Sequence, residues 1–126
     1  MRIQALSVVS PWGTRIAEGA KTREIRSWRP DTLPIENLLI VENGRRLTQA
    51  GDEDPEGRAV AIVRISAVHD WTPEEAEAAC SVYEPGWLSW VIEDVRPIAE
   101  PFRVVAARRI YELKIPDQLL PLSSSR

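Results

Sequence analysis

The chain has 126 residues, 44% of them hydrophobic, which is enough to bury one ordinary core and too few for two. A net charge of −3 excludes a protein that coats nucleic acid by charge alone, because such binding scales with the phosphates neutralised. Apolar runs such as 38–41, within a segment flanked by Glu36 and Glu42, fall far short of the roughly 20 residues a membrane-spanning helix needs, and the single cysteine, Cys80, excludes an internal disulfide.

In chain order, Ile3, Ala5, Ser7 and Val9 alternate with Gln4, Leu6 and Val8, so apolar residues fall on both faces, as in an internal strand. The stretch is too short and interrupted for a secretory signal, and with one cysteine the expected setting is a reducing cytoplasm. Ser10-Pro11 opens a helix of about two turns, with Ser10 at the N-cap and Pro11 at the first helical position. Trp12, Ile16 and Ala20 form its apolar stripe and Gly19 ends it. From Thr22 to Trp28 the pattern turns to period two, with Thr22, Glu24, Arg26 and Trp28 on one face and Arg23, Ile25 and Ser27 on the other.

Arg29-Pro30-Asp31 is a turn, Leu38–Val41 a strand, and 43–57 an acidic surface loop broken by glycines and a proline. Ala59–Val68 is a buried strand. Thr72-Pro73-Glu74-Glu75 fits a capping box, whose helix runs to about Tyr83 and stops before Pro85-Gly86, with Trp71 as a staple toward Ala76. Trp87–Val95 and Arg103–Ile115 are two more strands, and 123–126 reads as a disordered tail. The sum is one α+β domain over 1–122, with five to six strands, two or three short helices, and a sheet closed or nearly closed.

Charge is unevenly spread. Residues 1–30 carry Arg2, Arg15, Lys21, Arg23, Arg26 and Arg29 against Glu18 and Glu24, while acidic residues concentrate at 52–56 and 74–84. A basic surface on an acidic body suits a compact anionic ligand, although charge asymmetry is common on small proteins. Within that surface, Lys21 to Trp28 is the most informative segment, because a strand of a small barrel normally shows one apolar face and this one shows none. It sets a hydroxyl, a carboxylate, a guanidinium and an indole in line, about 6.6 to 6.8 Å apart. Two readings are open: an edge strand with a solvated face, or the wall of a wet cleft. In the second reading Glu24 and Arg26 hold one another or a ligand, Lys21 supplies a cation, and Trp28 or Trp12 offers a stacking surface.

The remaining candidates read as structural. His69 is a loop residue or a partner of Asp70. Trp71, Trp87 and Trp90 are core or staple residues, and Cys80 is a buried small hydrophobe. Tyr83 and Glu84 stand at an exposed helix end, with the cleft mouth as the alternative. One histidine and one cysteine leave no zinc site, and no metal or other cofactor is implied.

The residues Leu6-Ser7, Pro11-Trp12, Gly19-x-Lys21-Thr22-x-Glu24-x-Arg26-x-Trp28 and Trp87-x-x-Trp90, with the ending Tyr111 to Leu122, resemble the ASCH family (activating signal cointegrator homology). The resemblance implies a PUA-like β-barrel with a cleft beside the first helix, lined by the Lys, Glu and Arg of the motif, and an association with RNA or a nucleoside. Some members are amidohydrolases that deacetylate acetylcytidine with a Lys, a Thr and a Glu, and another is similar to a ribonuclease. Glu24 stands where the amidohydrolase branch has its nucleophilic threonine. The resemblance makes Lys21, Thr22 and Glu24 the catalytic candidates, and Arg26, Trp28, Trp12, Arg29 and Ser10 the ligand-binding ones. In the hydrolytic arrangement Glu24 is the general base, while Lys21 and Arg26 stabilise an oxyanion or phosphate. A non-catalytic RNA-binding module is the alternative, and the oligomeric state is left open.

Overall fold

The computed structural model describes residues 1–121, so the tail expected at 123–126 lies outside the described residues. Six strands form one mixed sheet: β1 (Arg2–Val9), β2 (Arg23–Arg26), β3 (Ile35–Asn43), β4 (Glu53–Asp70), β5 (Leu88–Ala107) and β6 (Ile110–Lys114). Hydrogen bonding orders them β2-β5-β4-β3-β1-β6. Only β1 and β3 are parallel, with Leu6 opposite Ile40; the other pairs are antiparallel. The expected barrel is met as this six-stranded sheet, whose ladder ends at β2 and β6 and is not a ring of paired strands.

The alternation in β1 produces the doubly buried strand it predicts. Leu6 and Val8 pack with Leu38 and Ile40 of β3, with Ile16 and with Trp90 on one face, while Ile3 and Ala5 pack with Leu39, Val41 and Ile62 on the other. Each large side chain buried there contributes about 1.5–3 kcal/mol relative to exposure. A one-residue slip would exchange the two clusters, so β1 and β3 hold a single register.

Helix α1 (Trp12–Ala17) presents Ile16 to the first cluster and is followed by Gly19 at φ +82°, the expected stop. Its start differs from expectation. Pro11, not Ser10, is the cap: the chain at Ser10 still follows the sheet, its amide donating to Asn43 O at 2.8 Å and prolonging the β1–β3 pairing. Glu42 of β3 caps the helix instead, taking the Thr14 amide at 2.7 Å and the Thr14 hydroxyl at 3.0 Å.

The capping box at Thr72 forms, with Glu75 Oε1 3.2 Å from the Thr72 amide. The helical segment is shorter than expected: a 3-10 turn (Pro73–Glu75) leads into α2 (Ala76–Ala79), which stops at Cys80 in the left-handed region, φ 56°. Trp71 is buried and stacks edgewise on Tyr83, ring centroids 5.1 Å apart, so Tyr83 belongs to the packing under the loop. The loop expected at 43–57 is confined to 44–52. Asn43 remains in β3, and 53–57 start β4 by pairing with the end of β5, Glu53 opposite Ala107 and Gly57 opposite Val104. The two strands expected at Trp87–Val95 and Arg103–Ile115 are really one 20-residue strand, β5, followed by β6 after a break at Arg109, φ 59°.

Candidate functional site

Strand β2 is an edge element of four residues, and its approach is pinned at both sides. The Thr22 amide donates to Ala78 O at 2.8 Å, and its carbonyl accepts the Ile92 amide at 3.1 Å. Lys21 and Glu24 are thereby carried inward and buried, at 6% and 8% exposure. Lys21 Nζ donates to Ala79 O, at the end of α2, at 2.6 Å and lies 3.6 Å from Glu24 Oε1. Glu24 Oε2 accepts Arg26 Nε at 2.7 Å, and Arg26 passes on to Ser7 O of β1 at 2.8 Å. A carboxylate this buried is costly alone; a cation at each oxygen offsets the cost and leaves the trio with one net positive charge.

These side chains line a hollow of about 420 Å³, within the roughly 300–1,000 Å³ usual for small-molecule sites. Among the described residues, its walls carry Lys21, Arg26, Arg45, Arg46, Arg108 and Arg109 against one carboxylate, Glu24, and present the indoles of Trp12, Trp28 and Trp87. Trp12 and Trp87 are 39% and 40% exposed. Trp28 is engaged on both flanks: the Trp90 ring meets it edgewise at 5.0 Å, and the Arg109 guanidinium lies over it, 4.2 Å from the ring centroid.

The hollow is assembled by the coiling of β5. Trp87, just before this strand, and Ala107, its last residue, border the same space. A straight strand of that length would hold them roughly 65 Å apart. Irregularities at four places in the β4–β5 register, and Asp94 at φ 51°, supply the bends. The far end is fastened by Ser7, whose hydroxyl receives the Ala107 amide at 3.1 Å and sits 3.0 Å from the Tyr111 hydroxyl. Tyr111 donates in turn to Val105 O at 2.9 Å, and burial raises its phenol pKa.

Of the residues singled out from sequence, Lys21, Glu24, Arg26, Trp28 and Trp12 line this cleft. Thr22 does not, because the strict alternation assumed for 22–28 holds only over Arg23–Arg26, and Thr22 lies before the strand with its backbone tied to α2 and β5. Ser10 is exposed outside the cleft, where its amide extends the sheet. Arg29 lines a separate, smaller hollow. Two residues expected in the core behave differently: Trp87 is exposed and Cys80, where α2 ends, is half-buried, and both line the cleft. Trp90 is fully buried, as expected. Sequence reading missed Arg45, Arg46, Arg108 and Arg109. The only sequence signal for them was their adjacency in pairs.

Behind β2, Glu75 collects donors from four residues. Arg23 Nε lies at 2.8 Å, His69 Nε2 at 2.9 Å and Ser89 Oγ at 3.1 Å from Oε2, and the Thr72 amide is 3.2 Å from Oε1. Burial pushes its pKa up, but the hydrogen bonds from Arg23, His69, Thr72 and Ser89 outweigh this and hold it at about 2. His69 therefore answers to Glu75, not to Asp70. The cluster ties α2, β2, β4 and β5 together, and so fixes the Ala79 carbonyl that holds Lys21.

Among the described residues, no group of three or more His, Cys, Asp or Glu is placed to hold a metal ion, and no helix is long and apolar enough to cross a membrane. A family model described as ASCH domain matches residues 6–102. No curated protein matches the chain. Among solved structures, the crystal structure of a mutant of ZmASCH from Zymomonas mobilis is similar, with a TM-score of 0.52 at 13% identity over 79% of this chain and 73% of that one. At that identity the likeness is one of fold.

Proposed function

The chain belongs to the ASCH domain family, and from that premise we propose that its cleft binds RNA or a modified nucleoside. The observation that carries this reading is the gathering of six cations and one carboxylate into a single hollow of a chain whose net charge is −3. Such a concentration serves an anionic ligand, and exposed indoles beside it serve a base: the two ingredients of single-strand recognition. We read the sheet as rolled toward the PUA-like barrel. Arg26 of β2 reaches Ser7 of β1, and Arg109, next to β6, covers Trp28 beyond β2, so side chains span the gap between the two edge strands. A reducing cytoplasm suits the thiol of Cys80 at the cleft wall.

Fluorescence anisotropy with short single-stranded RNA across a salt series tests the proposal. Arg46→Ala and Arg108→Ala each weaken binding and lower the log–log salt slope by about 0.7 for each phosphate no longer neutralised. Affinity and slope unchanged in both variants would refute the cleft as the binding surface.

A hydrolytic reading, amidohydrolase-like or ribonuclease-like, is motivated by the buried Lys21 and Glu24 and the half-buried Arg26 sharing the cleft. In it Glu24 activates water while the two cations stabilise the oxyanion or phosphate. It ranks second because Glu24 is already engaged by Arg26 through Oε2. Turnover of acylated nucleosides or short RNAs by the wild type, abolished in Glu24→Gln, would raise it to first.

A further inference from the structure

A second hollow, of about 190 Å³, lies against the cleft, and Trp28 and Arg109 line both. Its other walls are polar at Gln4, Arg29, Asp31 and Thr32 and apolar at Ile35 and Ile110. That volume is below the roughly 300–1,000 Å³ of a self-sufficient ligand site, but it abuts one that lies within the range. Neither Arg29 nor Arg109 has an anionic partner among the described residues, whereas Arg2, Arg15, Arg23 and Arg26 do. Arg109 moreover holds φ 59°, a conformation that L side chains adopt only at a cost, and in it the guanidinium is laid over Trp28, on the wall between the two hollows.

We propose that the smaller hollow is a second nucleotide subsite, so that the ligand is a strand of RNA passing over the Trp28–Arg109 wall with one nucleotide on each side. The inference rests on the reading of the larger cleft as an RNA or nucleoside site, and it narrows that ligand from a free nucleoside to an oligonucleotide. The chemistry on each side of the wall is that of a nucleotide. Arg29 and Arg109 offer charge to a phosphate, Asp31 and Gln4 offer acceptors to base amino groups, and the stacked guanidinium offers its plane to a base.

The test compares 5′-phosphorylated mono- and diribonucleotides of uridine and adenosine, titrated against the whole protein by calorimetry. Wild type binds the dinucleotide about tenfold or more tightly than the mononucleotide. Thr32→Trp, which fills the smaller hollow, and Arg29→Ala, which removes its charge, each bring that ratio toward one; both positions are exposed, so folding is little affected. A wild-type ratio near one, or a ratio unmoved by either variant, overturns the second subsite alone, provided the mononucleotide still binds and Arg46→Ala weakens it. Binding of neither probe by wild type overturns the cleft reading and the subsite with it.

Discussion

Arg26 grips one oxygen of Glu24 at 2.7 Å while Lys21 stands 3.6 Å from the other, so the carboxylate is the hub on which both cations depend. Replacing it by an uncharged amide leaves two buried or half-buried cations undercompensated. Glu24→Gln should lower stability by about 1–3 kcal/mol, read as a reduced urea midpoint with an unchanged m-value. Affinity for single-stranded RNA should hold or rise, because the one acid described in the cleft is gone; a drop in affinity would mean that Glu24 itself contacts the ligand.

Glu75 makes the fold sensitive to acid. Its folded-state pKa of about 2 lies below the ordinary 4.5, so its contribution is complete above roughly pH 4.5 and is withdrawn as the pH falls toward 2. The side chain is 14% exposed, and the full difference corresponds to about 3 kcal/mol. In Glu75→Gln the decline of unfolding free energy across that window should flatten. A decline as steep as in wild type would place the acid sensitivity elsewhere.

The three indoles of the Trp28 neighbourhood separate binding from folding. Trp12→Ala and Trp87→Ala remove exposed rings, so each should cost about 1–3 kcal/mol of RNA affinity with little change in salt slope or thermal midpoint. Trp90→Ala empties a fully buried site and should cost about 3–5 kcal/mol of stability. Equal effects of all three on melting would contradict this division.

Gly57 tests the coiled region of the sheet. A Cβ there would meet Val104 O at 2.7 Å and Val41 Cγ1 at 2.9 Å, and the first of these is backbone held in the β4–β5 ladder. Gly57→Ala should therefore destabilise by about 1–3 kcal/mol. Thermal melting at wild-type temperature would show that the strand can give way at no cost.

What the sequence made legible was local. The two-faced burial of β1, the box at Thr72 and the stop at Gly19 each follow from patterns within a few residues, whereas the alternation at 22–28 left open whether Glu24 and Arg26 face a cleft or solvent. What escaped it was set by sheet coiling. Arg45 and Arg46 begin a loop that reads as acidic, Arg108 and Arg109 break what reads as one strand, and nothing nearby says that both pairs face β2. Ser10 was misplaced for a related reason: the β1–β3 pairing runs on through its amide to Asn43, more than thirty residues away, and the helix starts one residue later. Thr22 falls just outside a strand shorter than its alternation suggests.

Trp87, just before the long strand β5, and Ala107, its last residue, both border the hollow, so two jaws of the pocket are joined by one hydrogen-bonded ribbon that bends at its register irregularities. Spreading those jaws means unwinding the ribbon against its pairing with β4, unlike a hinge that swings on a loop. In such a clasp the width of the gap is set by the sheet itself.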